Sequence, residues 1–189
     1  IRFKTASSTE TETYTGKDIR YFEISGKEAY QLYSVRTSMD EVELSKLSYG
    51  QDTSYITDSV FLKVIDKGSI ITTFSYTDNL KSRFYVLSNN KQIPEELLYK
   101  RYYAPQKQST VVEQPIYQTQ LFIIAQEYNL PDKDKLTQRI ESASYNLKDI
   151  RKISRIINGK SSEESVKKES NFYPFVGIGF NRNTVSYEG

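Results

Sequence analysis

Along the first part of the chain, apolar and polar residues alternate with the period of a half-buried strand. Ile1, Phe3 and Thr5 alternate with Arg2 and Lys4. A polar Ser/Thr/Glu stretch follows, and Tyr14–Asp18 turns the chain into a strand over Ile19–Ile24. Ser25-Gly26-Lys27 turns it again into Ala29–Val35. The clearest hairpin joins Ser59–Ile65 to Ile70–Tyr76 through Asp66-Lys67-Gly68-Ser69, a glycine-bearing turn between β-branched runs. Thr77-Asp78-Asn79 turns a second hairpin, whose returning strand is Arg83–Leu87, closed by Asn89-Asn90-Lys91. Pro94–Tyr102 fits a short helix or a strand and is assigned as strand. Turns at intervals of about ten residues predict an antiparallel meander over residues 1–113, not βαβ units.

The period changes near residue 114. Ile116, Gln120, Ile123, Ile124 and Tyr128 fall on one helical face, and Pro115 suits a first turn, where its missing N–H costs nothing. Asn129-Leu130-Pro131-Asp132 interrupts that helix, with Asp132 the expected N-cap of the next, in which Leu136 and Ile140 keep the period. Leu147, Ile150, Ile153 and Ile157 make a stripe that stops at Asn158-Gly159, while Lys148, Arg151, Lys152 and Arg155 cover the other face. Such stripes need a sheet or one another to cover them.

Residues 160–171 read as a charged, polar linker. Beyond it, Phe172, Pro174, Val176, Ile178 and Phe180 alternate with Tyr173, Phe175, Gly177 and Gly179, and Val185 with Tyr187 begins another alternation after an Asn181-Arg182-Asn183 turn. Apolar residues on one face, small ones on the other and aromatics near the ends are the pattern of a transmembrane barrel strand, which takes ~9–11 residues. A buried edge strand of the preceding domain has the same pattern. The sequence starts without methionine or leader and stops in mid-alternation, so it reads as a fragment.

Composition narrows the chemistry. The 189 residues contain no cysteine and no histidine, which removes disulfides, thiolate metal sites, the commonest general base and every His-dependent triad. An enzyme would have to work with Asp, Glu, Lys, Tyr or Ser alone, and the reading is non-enzymatic, with no cofactor and no metal. The 26 basic and 24 acidic residues nearly cancel, leaving no uncompensated cationic surface for phosphate and so no nucleic-acid partner. Mean hydropathy is −0.62, and no apolar run approaches the ~20 residues of a spanning helix.

The stretches FKTASSTETETYTGKDIRYFEI, DSVFLKVIDKG, TTFSYTD, EELLYKRYY, IYQTQL and FVGIGFNRNTVSY resemble a Bacteroidota protein family. In it a β-rich soluble domain leads, through a helical segment and a polar linker, into a PorT-like outer-membrane β-barrel. The resemblance covers most of the chain. It implies a periplasmic or outer-membrane location in a Gram-negative bacterium, and only the first strand of the barrel is present. It carries no activity over to any residue. An earlier strand pair usual in such proteins is missing.

Short motifs fail on context. Gly177-Ile178-Gly179 lacks the third glycine and the following helix of a dinucleotide loop. Asp132-Lys133-Asp134 lacks the later ligands and glycine of a calcium loop, and reads as a helix cap. The Ser-x-x-Lys matches at Ser88 and Ser165 lie in a turn and in the linker. Glu95 and Glu96 are adjacent and so, on a strand, point to opposite faces. A denser feature is Tyr99, Lys100, Arg101, Tyr102 and Tyr103, an aromatic-basic cluster in a chain with 16 tyrosines and no tryptophan. Tyrosine combines an apolar face with one hydroxyl, which suits a binding surface for glycan or peptide; sheet packing is the alternative use of the same residues. The cationic face of Lys148, Arg151, Lys152 and Arg155 suits solvent, or anionic lipid or glycan phosphate.

The expected molecule is α+β: an antiparallel β-meander domain (1–113), two or three amphipathic helices packed on it (114–159), a polar linker (160–171) and a first barrel-like strand (172–189). The expected function is a non-enzymatic periplasmic interaction module, binding an envelope protein or glycan and reaching the outer membrane through the downstream barrel. A structural plug or anchor of that barrel is the second expectation, and a carboxylate-dependent hydrolase the third.

Overall fold

The computed structural model describes residues 2–3, 12–24, 26–130 and 133–160; the linker and barrel-strand expectations for 161–189 and the Asp132 cap lie outside the described residues. A short pair, β1 (Arg2–Phe3) and β2 (Glu12–Thr13), precedes the main sheet. That sheet runs β3 (Tyr21–Ile24), β4 (Glu28–Ser38), β5 (Tyr55–Lys67), β6 (Ile71–Thr77), β7 (Ser82–Ser88) and β8 (Glu95–Leu97), each antiparallel to the next and in chain order. The predicted α+β meander is therefore present. A separate hairpin, β9 (Lys100–Ala104) with β10 (Lys107–Gln114), leads into α1 (Ile116–Glu127), α2 (Lys133–Glu141) and α3 (Leu147–Ile157).

The sheet curls until the end of β4 meets β8. Ser38 donates to the Glu96 carboxylate from its backbone N–H (2.7 Å) and its hydroxyl (2.5 Å), and Thr37 and Tyr85 hydroxyls meet at 3.1 Å across the two strands between. The concave face thus holds one core of Val35, Val60, Leu62, Phe74 and Tyr85. The other face carries Ile71, Phe84, Val86 and Leu97, and the three helices lie on it, adding Leu121, Ile140, Ile150, Ile153 and Ile157 among others. Each such aliphatic side chain contributes about 1.5–3 kcal/mol on burial. Ile71, Phe74, Phe84 and Val86 of the two strongest hairpins are buried, but on two different faces. Phe61 is only partly buried. It belongs to the face opposite Val60 and Leu62, where Phe22 stacks on Tyr30 and meets Phe61 edge-on. A bulge between Val64 and Asp66 shifts the register of β5 against β6 and turns the Asp66 side chain toward the helices.

Two helix expectations need correcting. α1 turns inward with Tyr117, Leu121, Ile124 and Ala125, while Ile123 is 49% exposed. Apolar residues surround this helix, so periodicity does not select a face. Tertiary partners of Tyr117 and Gln120 select it instead. On α3 the stripe begins at Ile150, Leu147 is exposed, and Ser154 completes the buried face. Asn146 caps α3 by accepting from Asp149 N–H (2.9 Å).

The C-terminus of α3 ends in a Schellman motif. Gly159 N–H bonds Ile156 C=O and Lys160 N–H bonds Arg155 C=O, with Gly159 at φ +67°, where a side chain would be strained. The same turn is clamped to the β5–β6 connection. Asn158 accepts from Ile70 and Ile71 N–H and donates to Ile71 C=O and Asp66, while Ser154 and Lys160 also donate to Asp66.

Candidate functional site

The sequence reading runs one strand through Pro94–Tyr102; the fold instead breaks it at Leu98-Tyr99, between β8 and β9, and turns that step into a corner. Tyr117 N–H donates to Leu98 C=O (2.7 Å), and the Gln120 carboxamide accepts from Leu98 N–H and donates to Glu96 C=O, both at 2.8 Å. These bonds seat the first turn of α1 against the corner, which brings Tyr117 beside Tyr99 (ring centroids 6.3 Å apart). Tyr145, from the α2–α3 connection, stacks on Tyr99 at 5.3 Å and leans on Tyr117 at 5.1 Å, with Phe84 edge-on at 5.0 Å. Pairs in these geometries are worth about 0.5–1.5 kcal/mol each beyond their burial.

The hydroxyls face inward. Tyr145 donates to Leu97 C=O (2.6 Å) and accepts from Phe84 N–H (3.2 Å), and Tyr117 donates to Ala143 C=O (2.5 Å). Burial raises the Tyr117 and Tyr145 phenols, and burial followed by the Glu113 hydrogen bond pushes Tyr99 up to about 12. All three therefore stay protonated near neutral pH and offer no phenolate base or nucleophile. Tyr117 is 2% exposed and backs the other two rings, so what remains accessible is the ring surface of Tyr99 and Tyr145. It lines an open recess of about 500 Å³, whose rim is Glu113, Pro115, Gln118 and Ser144. Recesses of this size hold small ligands or one anchoring side chain.

The five residues singled out from the sequence do not share one surface. Tyr99 lines the recess. Lys100 is turned inward, 3% exposed, with its ammonium 3.2 Å from Asp40 and 2.6 Å from Asp52 C=O. Arg101 donates to Val42 C=O (2.8 Å) and has its Nε 3.2 Å from Glu113, an ion contact without hydrogen-bond alignment. The Tyr102 hydroxyl accepts from Gln114 (2.9 Å). Tyr103 donates to Leu44 C=O (3.0 Å) and lies against the exposed Tyr49 ring at 5.5 Å. Alternation along β9 separates them. On α3, Lys148 is exposed while Arg151, Lys152 and Arg155 are half-buried.

Beneath this region runs an ion network that pattern reading does not reveal. Asp40 lies 2.9 Å from Lys81 and 3.2 Å from Lys100. Arg83, fully buried, donates to Ser38 C=O (2.8 and 3.1 Å), pairs with Asp78 (2.9 Å) and stands 3.8 Å from Glu96. Burial raises the Glu96 carboxyl and lowers Lys81, against the pull of their partners. Three cations and three carboxylates pair here, with Asp78 at the partly exposed end, and the network ties the end of β4 to β7 and β8. The one hint in the sequence is the Glu95-Glu96 pair: Glu95 faces solvent and Glu96 the interior. Among the described residues no three acidic side chains are grouped to hold a metal ion.

Comparison with family models, with curated proteins and with solved structures finds no match to the chain.

Proposed function

We propose that this chain is a non-enzymatic interaction module of the Gram-negative envelope, periplasmic and joined to an outer-membrane β-barrel, that takes an envelope protein or glycan in the tyrosine recess. The observation that carries the reading is the meeting of the half-buried Tyr99 and Tyr145 rings over the buried Tyr117: the Tyr117 and Tyr145 hydroxyls are spent internally, and the Tyr99 and Tyr145 rings line the recess. Ring faces attract sugar C–H groups or an apolar side chain, and Glu113 and Ser144 at the rim add polar selectivity. The test is calorimetric titration with soluble envelope glycans and with peptides derived from envelope proteins, using Ser144→Trp to fill the recess. Binding lost in that variant with an unchanged melting curve is the expected outcome. Undiminished binding would refute the recess.

A second reading, a structural anchor for the barrel, rests on the Asp66–Asn158–Lys160 clamp. It fixes the end of α3 at the point where residues 161–189 follow. An anchor predicts that loosening the clamp disturbs barrel assembly while ligand titrations of the recess stay silent.

A further inference from the structure

A second cleft, of about 340 Å³, lies on the other side of the corner, between Arg36 and Tyr55 on one wall and Ile93, Pro94 and Leu98 on the other. The Arg36 guanidinium carbon sits 3.8 Å over the centre of the Tyr55 ring. This stacking fixes a long side chain flat against an aromatic face and leaves the N–H edge of the guanidinium free. The buried Lys100 ammonium is 5.3 Å from the same ring, so two cations converge on one tyrosine.

Their charges are handled differently. Lys100 shares Asp40 with Lys81. Arg36 has no carboxylate within ion-pair distance among the described residues. Two carboxylates, Glu95 and Glu96, also line the cleft, and both are engaged elsewhere: Glu95 holds Lys91 at 2.8 Å, and Glu96 holds Ser38. Gln120 is spent on Leu98 and Glu96. The cleft therefore presents one guanidinium without a carboxylate partner of its own, near Ile93, which is 59% exposed, while the lining carboxylates Glu95 and Glu96 are taken by Lys91 and Ser38. That pairing of features selects a planar anion attached to an apolar body, since a guanidinium meets a carboxylate through two parallel hydrogen bonds.

We propose that the Arg36–Tyr55 cleft binds a carboxylate carried on a small apolar group, with the carboxylate on Arg36 and the apolar group against Ile93 and Pro94. The shared chemistry fits a free small acid and the C-terminal carboxylate of a peptide alike. The site is separate from the tyrosine recess and stands or falls independently of it.

The full 189-residue chain is titrated with N-acetyl-leucine, with its amide N-acetyl-leucinamide, and with acetyl-Ala-Ala-Leu, following by NMR the Arg36 side-chain Nε–H resonance and, in the native chain and the variants alike, the backbone amide resonances of Tyr55 and Ile93. The acid is expected to give a saturable shift and the amide none. Arg36→Ala should weaken binding by about tenfold or more, the loss of a charge-assisted pair, and Arg36→Lys should only partly restore it. Arg36 is exposed, so its replacement leaves the core intact. Tighter binding of the tripeptide identifies a chain terminus as the source, and weaker binding a free acid. No saturable shift at millimolar N-acetyl-leucine, or equal binding of acid and amide, overturns the proposal.

Discussion

Asn158 pairs with the backbone of Ile71 as a neighbouring strand would: Ile71 N–H donates to Asn158 Oδ1 and Asn158 Nδ2 donates to Ile71 C=O, both at 3.0 Å. One side chain at the end of α3 thus caps the start of β6 where the hairpin turns. The hydrogen bonds from Ile70 N–H and to Asp66 use the rest of the carboxamide.

Asn158→Ala should therefore destabilise the fold by about 3 kcal/mol in a urea melt, because it leaves several part-buried groups unpaired. Gly68 reports on the same contact: a β-carbon there would stand 1.9 Å from Asn158 Cγ. Gly68→Ala should be costly in the native protein and nearly neutral in the Asn158→Ala background, a coupling that a double-mutant cycle measures. Additive losses would mean that Gly68 is needed for another reason.

The clamp should also give the fold an acid limb. Burial opposes ionisation of Asp66, but hydrogen bonds from Lys160, Asn158 and Ser154 outweigh it and hold the carboxyl below its ordinary 3.8. With the folded value depressed, the stabilisation is present above the ordinary value and disappears as pH falls through the folded one. Glu96 works the other way. Its folded value is raised by burial, so its contribution is complete below 4.5 and declines as pH rises through the folded value. Urea melts across the acid range should show Asp66→Asn losing the low-pH dependence and Glu96→Gln losing the decline at higher pH.

Tyr145→Phe keeps the ring stack but removes the hydroxyl that joins Leu97 C=O and Phe84 N–H. A loss of about 1–3 kcal/mol is expected, the cost of stranding those groups. Backbone amide exchange should rise at Phe84 more than at its neighbours on β7.

The two faces of α1 and the concave core can be compared directly. Phe74 is fully buried, and Phe74→Ala should cost about 3–5 kcal/mol. Ile123→Ala, on the exposed face of α1, should change stability by less than about 0.5 kcal/mol, whereas Ile124→Ala should cost about 2–5 kcal/mol. Equal losses at 123 and 124 would place the helix in a different rotation.

The hairpins over 59–76 and 77–88 were legible because β-branched alternation and a glycine turn act within a few residues of one another. The stop of α3 was legible for the same local reason: Asn158-Gly159 needs only its own backbone. The rotation of α1 was not, since Ile116, Tyr117, Leu121, Phe122, Ile123 and Ile124 surround the helix, and distant partners of Tyr117 and Gln120, among them Leu98, Glu96 and Tyr145, decide which of them turns in. Charges misled most. Lys100 looked like part of an exposed cluster, yet its partner Asp40 comes from a loop 60 residues earlier. The recess was partly visible through Tyr99, but Tyr117 and Tyr145 join it from two other elements. Only the completed fold puts their rings together.

The Asp66 clamp also joins parts of the chain that lie far apart in sequence. Lys160 follows Asp66 by 94 residues in the chain, and Asn158 by 92. The β5–β6 hairpin is thus complete in sequence long before the residues that clamp it. Without them Asp66 would be a solvated carboxylate at an open bulge, and the sheet face under α3 would be bare. The last residues of the helical segment are thus a completion signal: the domain reaches its final stability only when the chain has been made through Lys160.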